Sequence, residues 1–111
     1  MNLTIEANGG IHVFRVAGEV DLKSSPQLRE KLQAVLKEKP KGIILEMSGC
    51  NYIDSSGIAT LVETLQRLKK DGGKMAIAGA VQRVKDIFEI AHLDGIFPMF
   101  ASQDEALESL K

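Results

Sequence analysis

The sequence predicts a single α/β domain, residues 1–111, built on a mixed β-sheet that opens with a hairpin and is covered mainly by about four helices. Three observations carry that prediction. Strand-like and helix-like stretches alternate along the chain with short connections, as they do where strands are joined by helical crossovers. Asn8-Gly9-Gly10 separates the first two runs of β-formers, a strong hairpin signal. Ile43-Ile44-Leu45 is continuously apolar, the mark of a strand buried inside a sheet.

The elements follow in order. Residues 3–7 and 11–16 form the hairpin, whose turn glycines supply positive φ. SSPQLREKLQAVLKEKP, residues 24–40, has a serine cap, an early proline and apolar positions at Leu28, Leu32, Val35 and Leu36 before Pro40 stops it. This predicts an amphipathic helix. Residues 42–47 form the central strand. From Gly57 the apolar period is helical again, through Ile58, Leu61, Val62, Leu65 and Leu68, and Asp71-Gly72-Gly73 ends it. Residues 75–78 are a short strand; Val81, Val84, Phe88 and Ala91 mark a third helix; residues 96–100 are a last strand. Ser102-Gln103-Asp104-Glu105 reads as a capping box that opens a terminal helix. The predicted order is β-β-α-β-α-β-α-β-α.

Composition excludes some functions. With 44% hydrophobic residues, 26% charged residues and a net charge of −1, the chain offers no field that would gather nucleic acid. No segment approaches the ~20 apolar residues of a membrane span, and the N-terminus lacks a basic region followed by an apolar run. A cytoplasmic protein without membrane insertion is expected. The lone Cys50 can form no internal disulfide, which agrees with a reducing compartment, and reads as a small buried side chain.

The chemistry concentrates in NYIDSSGIAT, residues 51–60, where a strand-like run gives way to a helical one. Two readings of Asp54, Ser55 and Ser56 stand side by side. In one, these residues accept hydrogen bonds from the free N–H groups of the helix, a role worth ~1 kcal/mol. In the other, one serine is phosphorylated, since a helix N-terminus tolerates a dianion through its unpaired N–H donors and its dipole. Rival chemistries lack their residues. Gly72-Gly73-Lys74 has Leu68 where a phosphate-binding loop needs its first glycine and Met75 where it needs Ser or Thr. Neither serine has the glycine two residues earlier that a hydrolase elbow requires. His12 and His92 have no neighbour at metal-ligand spacing. No enzyme, cofactor or metal site is expected.

Gly18-Glu19-Val20-Asp21, Ile43-Ile44-Leu45, and above all Tyr52-Ile53-Asp54-Ser55-Ser56-Gly57-Ile58 give the chain a specific likeness. Gly72-Gly73-Lys74-Met75 and the Phe88 helix with Leu93 and Phe97 extend it. Over essentially its whole length the sequence resembles the STAS-domain anti-sigma factor antagonists of bacteria. The resemblance implies a STAS-like fold and a partner-switching cycle. An unphosphorylated antagonist binds an anti-sigma factor that is also a serine protein kinase, so that the sigma factor is released. The kinase phosphorylates the serine after the motif aspartate, here Ser55, and the complex parts; a serine phosphatase restores the first state.

The same resemblance implies roles for the neighbours. Asp54 fixes the junction and orients the Ser55 hydroxyl, or simply caps. Ser56 supports the helix, and both Asp54 and Ser56 are expected within the partner-binding surface. Gly57 admits a partner backbone, or packs the helix on the sheet. Glu19 and Asp21 lie in the loop before the first helix, at the same end of the domain, as partner contacts or as solvated acids. Independently of the resemblance, the helical spacing of Ile58, Leu61 and Leu65 assigns that stripe to the core rather than to an interface. Related STAS domains also act as accessory subunits of membrane transport systems, including lipid-transporting ABC complexes, or within signalling assemblies, by binding without phosphorylation; this is the alternative function.

Overall fold

A computed structural model describes residues 1–111. Its elements are β1 (Asn2–Asn8), β2 (Ile11–Val20), α1 (Ser25–Leu36), β3 (Gly42–Glu46), β4 (Cys50–Ile53), α2 (Ser55–Lys70), β5 (Lys74–Ala78), α3 (Gln82–Ile90), β6 (Met99–Phe100) and α4 (Gln103–Leu110). β1 and β2 pair antiparallel from Asn2↔Ala17 to Asn8↔Ile11. Gly9 and Gly10 turn between them with φ of 59° and 86°, the backbone hand that matches the twist of the flanking strands. The remaining pairings are parallel, and the strand order is β1-β2-β3-β5-β6, with β4 paired to the end of β2.

The register explains why β3 reads as continuously apolar. Ile43 and Leu45, with Phe14, Val16, Met75 and Ile77, face the main core, where α1, α2 and α3 add Leu28, Leu32, Leu61, Leu65, Val84 and Phe88. Ile44 points the other way and packs with Ile11, Val13, Ala76 and Ala78 under Ala106, Leu107 and Leu110 of α4. Both faces of β3 are therefore covered. All the parallel strands run the same way, so β2, β4 and β5 release their chains at one end of the sheet. In open α/β sheets this carboxyl end is where binding sites form.

The structure corrects the expected outline in several places. A sixth strand, β4, forms from Cys50 to Ile53 and pairs with Gly18, Glu19 and Val20 across a shift in register. β2 runs on to Val20 rather than stopping at residue 16, because β4 supplies the pairing that its last residues need. Glu19 is therefore a strand residue, not a loop residue. The last strand is only Met99–Phe100. Phe97 before it is fully buried in a turn, with its ring 5.5 Å from that of Phe88 in an edge-on contact. α1 ends at Leu36, and Lys39 takes a left-handed φ of 50° ahead of Pro40. At α4, Ser102 Oγ accepts from the Glu105 N–H at 3.2 Å, while Glu105 accepts from Ala101 rather than from Ser102.

Candidate functional site

The sequence around residue 54 builds a helix start with one strong acceptor. Asp54 is the N-cap of α2, in extended conformation, and its own N–H donates to Val20 O at 2.9 Å, which ties the cap to the end of β2. Asp54 Oδ1 accepts from the Ser56 N–H at 2.9 Å, from the Gly57 N–H at 3.2 Å and from the Ser56 hydroxyl at 2.6 Å. The Ser56 hydroxyl and the N–H groups of Gly57, Ser56 and Leu22 hold the Asp54 carboxyl below its ordinary range, against partial desolvation. Asp54 is thus a charged cap.

The two serines are treated differently. Ser56 is half-buried, and its Oγ also accepts from the Ser25 hydroxyl at 2.9 Å. Ser25 sits at the start of α1 and is only 5% exposed. A relay Ser25 → Ser56 → Asp54 therefore fastens the first turns of α1 and α2 together. Ser55 is exposed, and its hydroxyl has no hydrogen-bond partner within the chain. The expectation that Asp54 orients the Ser55 hydroxyl is corrected: the Asp54 carboxylate accepts from the Ser56 hydroxyl and from the N–H groups of Ser56 and Gly57 instead.

Below this start, α2 stays close to α1. Thr60 Oγ1 donates to Ser56 O at 3.0 Å and Thr64 Oγ1 to Thr60 O at 2.8 Å, which satisfies both buried hydroxyls within the helix. Arg29 of α1 forks onto Glu63 of α2, with Nε–Oε2 3.2 Å and Nη2–Oε1 3.0 Å. Both side chains are about half exposed, so the pair steers helix alignment more than it adds stability.

Gly57 is buried, and a Cβ there would fall 2.6 Å from Ile53 Cγ1 and 2.7 Å from Val20 Cγ1. The close approach that this glycine allows is made by the domain's own strands. Asp21 organises the β2–α1 loop: its Oδ1 accepts from the N–H groups of Lys23 at 3.0 Å and Ser24 at 3.1 Å. The Ser24 N–H first, then the Lys23 N–H and the Ser24 hydroxyl, lower the Asp21 pKa, while desolvation and the negative charge of Asp54 oppose them. Ser24 does not cap α1 with its side chain; its hydroxyl turns back to accept from the Asp21 N–H at 2.9 Å and to donate to Glu19 O at 3.0 Å. Glu19 itself is exposed. Asp21, Asp54 and Ser55 thus share one end of the sheet, with Glu19 beside them on β2.

Some residues at this end escape a sequence reading. Leu22 is 76% exposed on the loop held by Asp21. Tyr52 projects from β4, and the Arg83 guanidinium lies 5.6 Å from its ring centroid, a cation–π distance. The signal for Leu22 is present in principle: it is a large apolar residue placed between Asp21 and Lys23, outside any helical or strand period. Cys50 is buried and donates to Tyr52 O at 3.3 Å, and desolvation raises its thiol pKa, so it lies under the site as packing. No helix of the chain is long and apolar enough to cross a membrane.

A hydroxyl free at a helix start, an aspartate cap beside it and a mixed sheet with its loops gathered at one end define a class. The STAS domain family model matches residues 2–106, and the chain belongs to that family. Two curated relatives are similar over most of their length. The anti-sigma-B factor antagonist of Bacillus subtilis is 29% identical over 97% of this chain and 98% of its own; that of Staphylococcus aureus is 30% identical over 84% and 88%. Among solved structures, an anti-sigma factor antagonist from Mycobacterium paratuberculosis superposes with a TM-score of 0.89 at 25% identity, over 98% of this chain and 92% of its own.

Proposed function

We propose that this protein is an anti-sigma factor antagonist that switches partners through Ser55. The observation that carries the reading is the contrast between the serines: Ser56 is tied into the fold, whereas the Ser55 hydroxyl is exposed and unbonded at the first turn of α2. A kinase can reach Ser55 without breaking any contact. The unphosphorylated surface, with Leu22 projecting beside Asp21 and Asp54, docks on an anti-sigma factor that is also a serine protein kinase, and the sigma factor is released. The kinase transfers the γ-phosphoryl of its bound ATP to Ser55 Oγ; the hydroxyl loses its proton and ADP leaves. A serine phosphatase later hydrolyses the ester with water, returning the hydroxyl and inorganic phosphate.

The physics of the switch is local. The phosphoryl group adds roughly 1.5 to 2 negative charges at the helix start. The dipole and remaining N–H donors of α2 tolerate that charge in the free domain. In a closed interface it stands beside Asp54 and Asp21, and like charge together with lost hydration opposes docking. The fold is unchanged and only the surface differs.

The test is affinity isolation from the protein's own cells with tagged Ser55→Ala and Ser55→Asp forms. A serine kinase retained by Ser55→Ala and depleted on Ser55→Asp is expected. One partner set held equally by both forms would overturn the switch; a transporter ATPase and permease in that set would mark the accessory role.

A further inference from the structure

We infer that β1 is a self-association edge, on which two copies of this chain pair antiparallel through Asn2–Asn8 and join their sheets into one. β1 ends the strand order, so one of its sides carries no partner strand. Exposed edges are normally blunted by proline, bulges, charged side chains or shortness. β1 carries only one such device, the single charge of Glu6: it is seven residues long, contains no proline, and its register with β2 is unbroken.

The residues of this edge suit a second copy of themselves. Directly opposed residues in an antiparallel pair point to the same face, so pairing about Ile5 sets Ile5 against Ile5, Leu3 against Ala7, Thr4 against Glu6 and Asn2 against Asn8. Any alternating strand matches itself in polarity; what is particular is the placement of the charge. Pairing about Glu6 would oppose two carboxylates, and pairing about Thr4 would leave Ala7 and Asn8 unpaired. Only the Ile5 centre uses all seven residues without opposing like charges.

The faces agree with that register. Leu3, Ile5 and Ala7 lie opposite Val16, Phe14 and His12 of β2, so they share the face of the main core. Leu3 packs against this core, whereas Ile5 remains 37% exposed. A two-fold axis normal to the sheet keeps the core faces of both copies on one side, and the two Ile5 side chains then cover each other. On the other face Glu6 is already held by Arg15 at 2.9 Å, with Gln103 bridging the two, so its charge is compensated where it meets Thr4 of the second copy.

Sedimentation of the whole protein across a range of concentrations tests this edge. The wild type should rise reversibly toward twice the monomer mass. Ile5→Lys, which opposes two ammonium groups at the axis, should remain monomeric with an unchanged circular dichroism spectrum. Cysteine pairing gives an independent reading, because the native Cys50 is buried. Under mild oxidation Ile5→Cys should form a covalent dimer, Thr4→Cys alone should not, and a mixture of Thr4→Cys with Glu6→Cys should cross-link. A wild type that stays monomeric at high micromolar concentration, or equal cross-linking by Ile5→Cys and Thr4→Cys, would overturn the inference.

Discussion

Replacing Ser56 with alanine should cost far more stability than replacing Ser55, although the two serines are adjacent. Ser56→Ala removes the 2.6 Å bond to the Asp54 carboxylate, a contact of a class worth about 1.5–3 kcal/mol. It also strips the nearly buried Ser25 hydroxyl of its acceptor, and leaving such a group unpaired costs roughly 1–3 kcal/mol. Two effects soften the loss. Asp54 keeps its two N–H donors, and alanine is the better helix former by up to about 0.5 kcal/mol. A net loss of ~1–3 kcal/mol follows, against a change within about 0.5 kcal/mol for Ser55→Ala, where no bond is lost. Urea unfolding followed by circular dichroism measures both; in a domain of this size each kcal/mol moves Tm by roughly 4–8 °C. Equal losses for the two variants, or a larger loss for Ser55→Ala, would refute the division of labour between the serines.

Gly57→Ala should destabilise by ~1–2 kcal/mol, because overpacking of the Cβ against Ile53 and Val20, about 1–3 kcal/mol, outweighs the gain in helix propensity; a midpoint in urea at or above wild type would contradict it. The folded-state pKa values of Asp54, Asp21 and Glu63 all lie below their ordinary values. Their stabilisation is fully present above the ordinary carboxylate range and is lost as pH falls below that range, down through the lower folded-state values. Urea midpoints should therefore decline from about pH 5 to pH 3, and Asp54→Asn, which still caps, should show a shallower decline; identical slopes would remove Asp54 from the account. Leu22→Asp should leave the unfolding free energy within about 0.5 kcal/mol of wild type while weakening binding of the captured kinase at least about tenfold, as titration calorimetry would show.

Much of the fold was legible because its signals are local. The Asn8-Gly9-Gly10 turn, the apolar run through Ile43 to Leu45 and the helical stripe from Leu61 to Leu68 each act within a few residues. β4 was not legible as a strand: Cys50 to Ile53 offers only four residues, and they are extended because Gly18 to Val20 lie alongside, a partner more than thirty positions away. The same holds for the extension of β2. At the site, the cap at Asp54 follows from residue type and spacing, but which serine it would hold does not. That depends on Ser25, a residue on another helix that turns its hydroxyl toward Ser56. Ser24 shows the converse: its position before Pro26 suggests a cap, yet Asp21 and Glu19 claim its hydroxyl for the loop.

The hydroxyl left free by this arrangement carries the functional account, and phosphate mapping on the protein isolated from its own cells tests it most directly. Intact mass and peptide fragmentation during growth, starvation and stress, with a Ser55→Ala strain beside the wild type, should find one phosphoryl group on Ser55 that the variant lacks. A protein that stays unmodified under all three conditions, or that carries its phosphate on Ser56, would contradict the account.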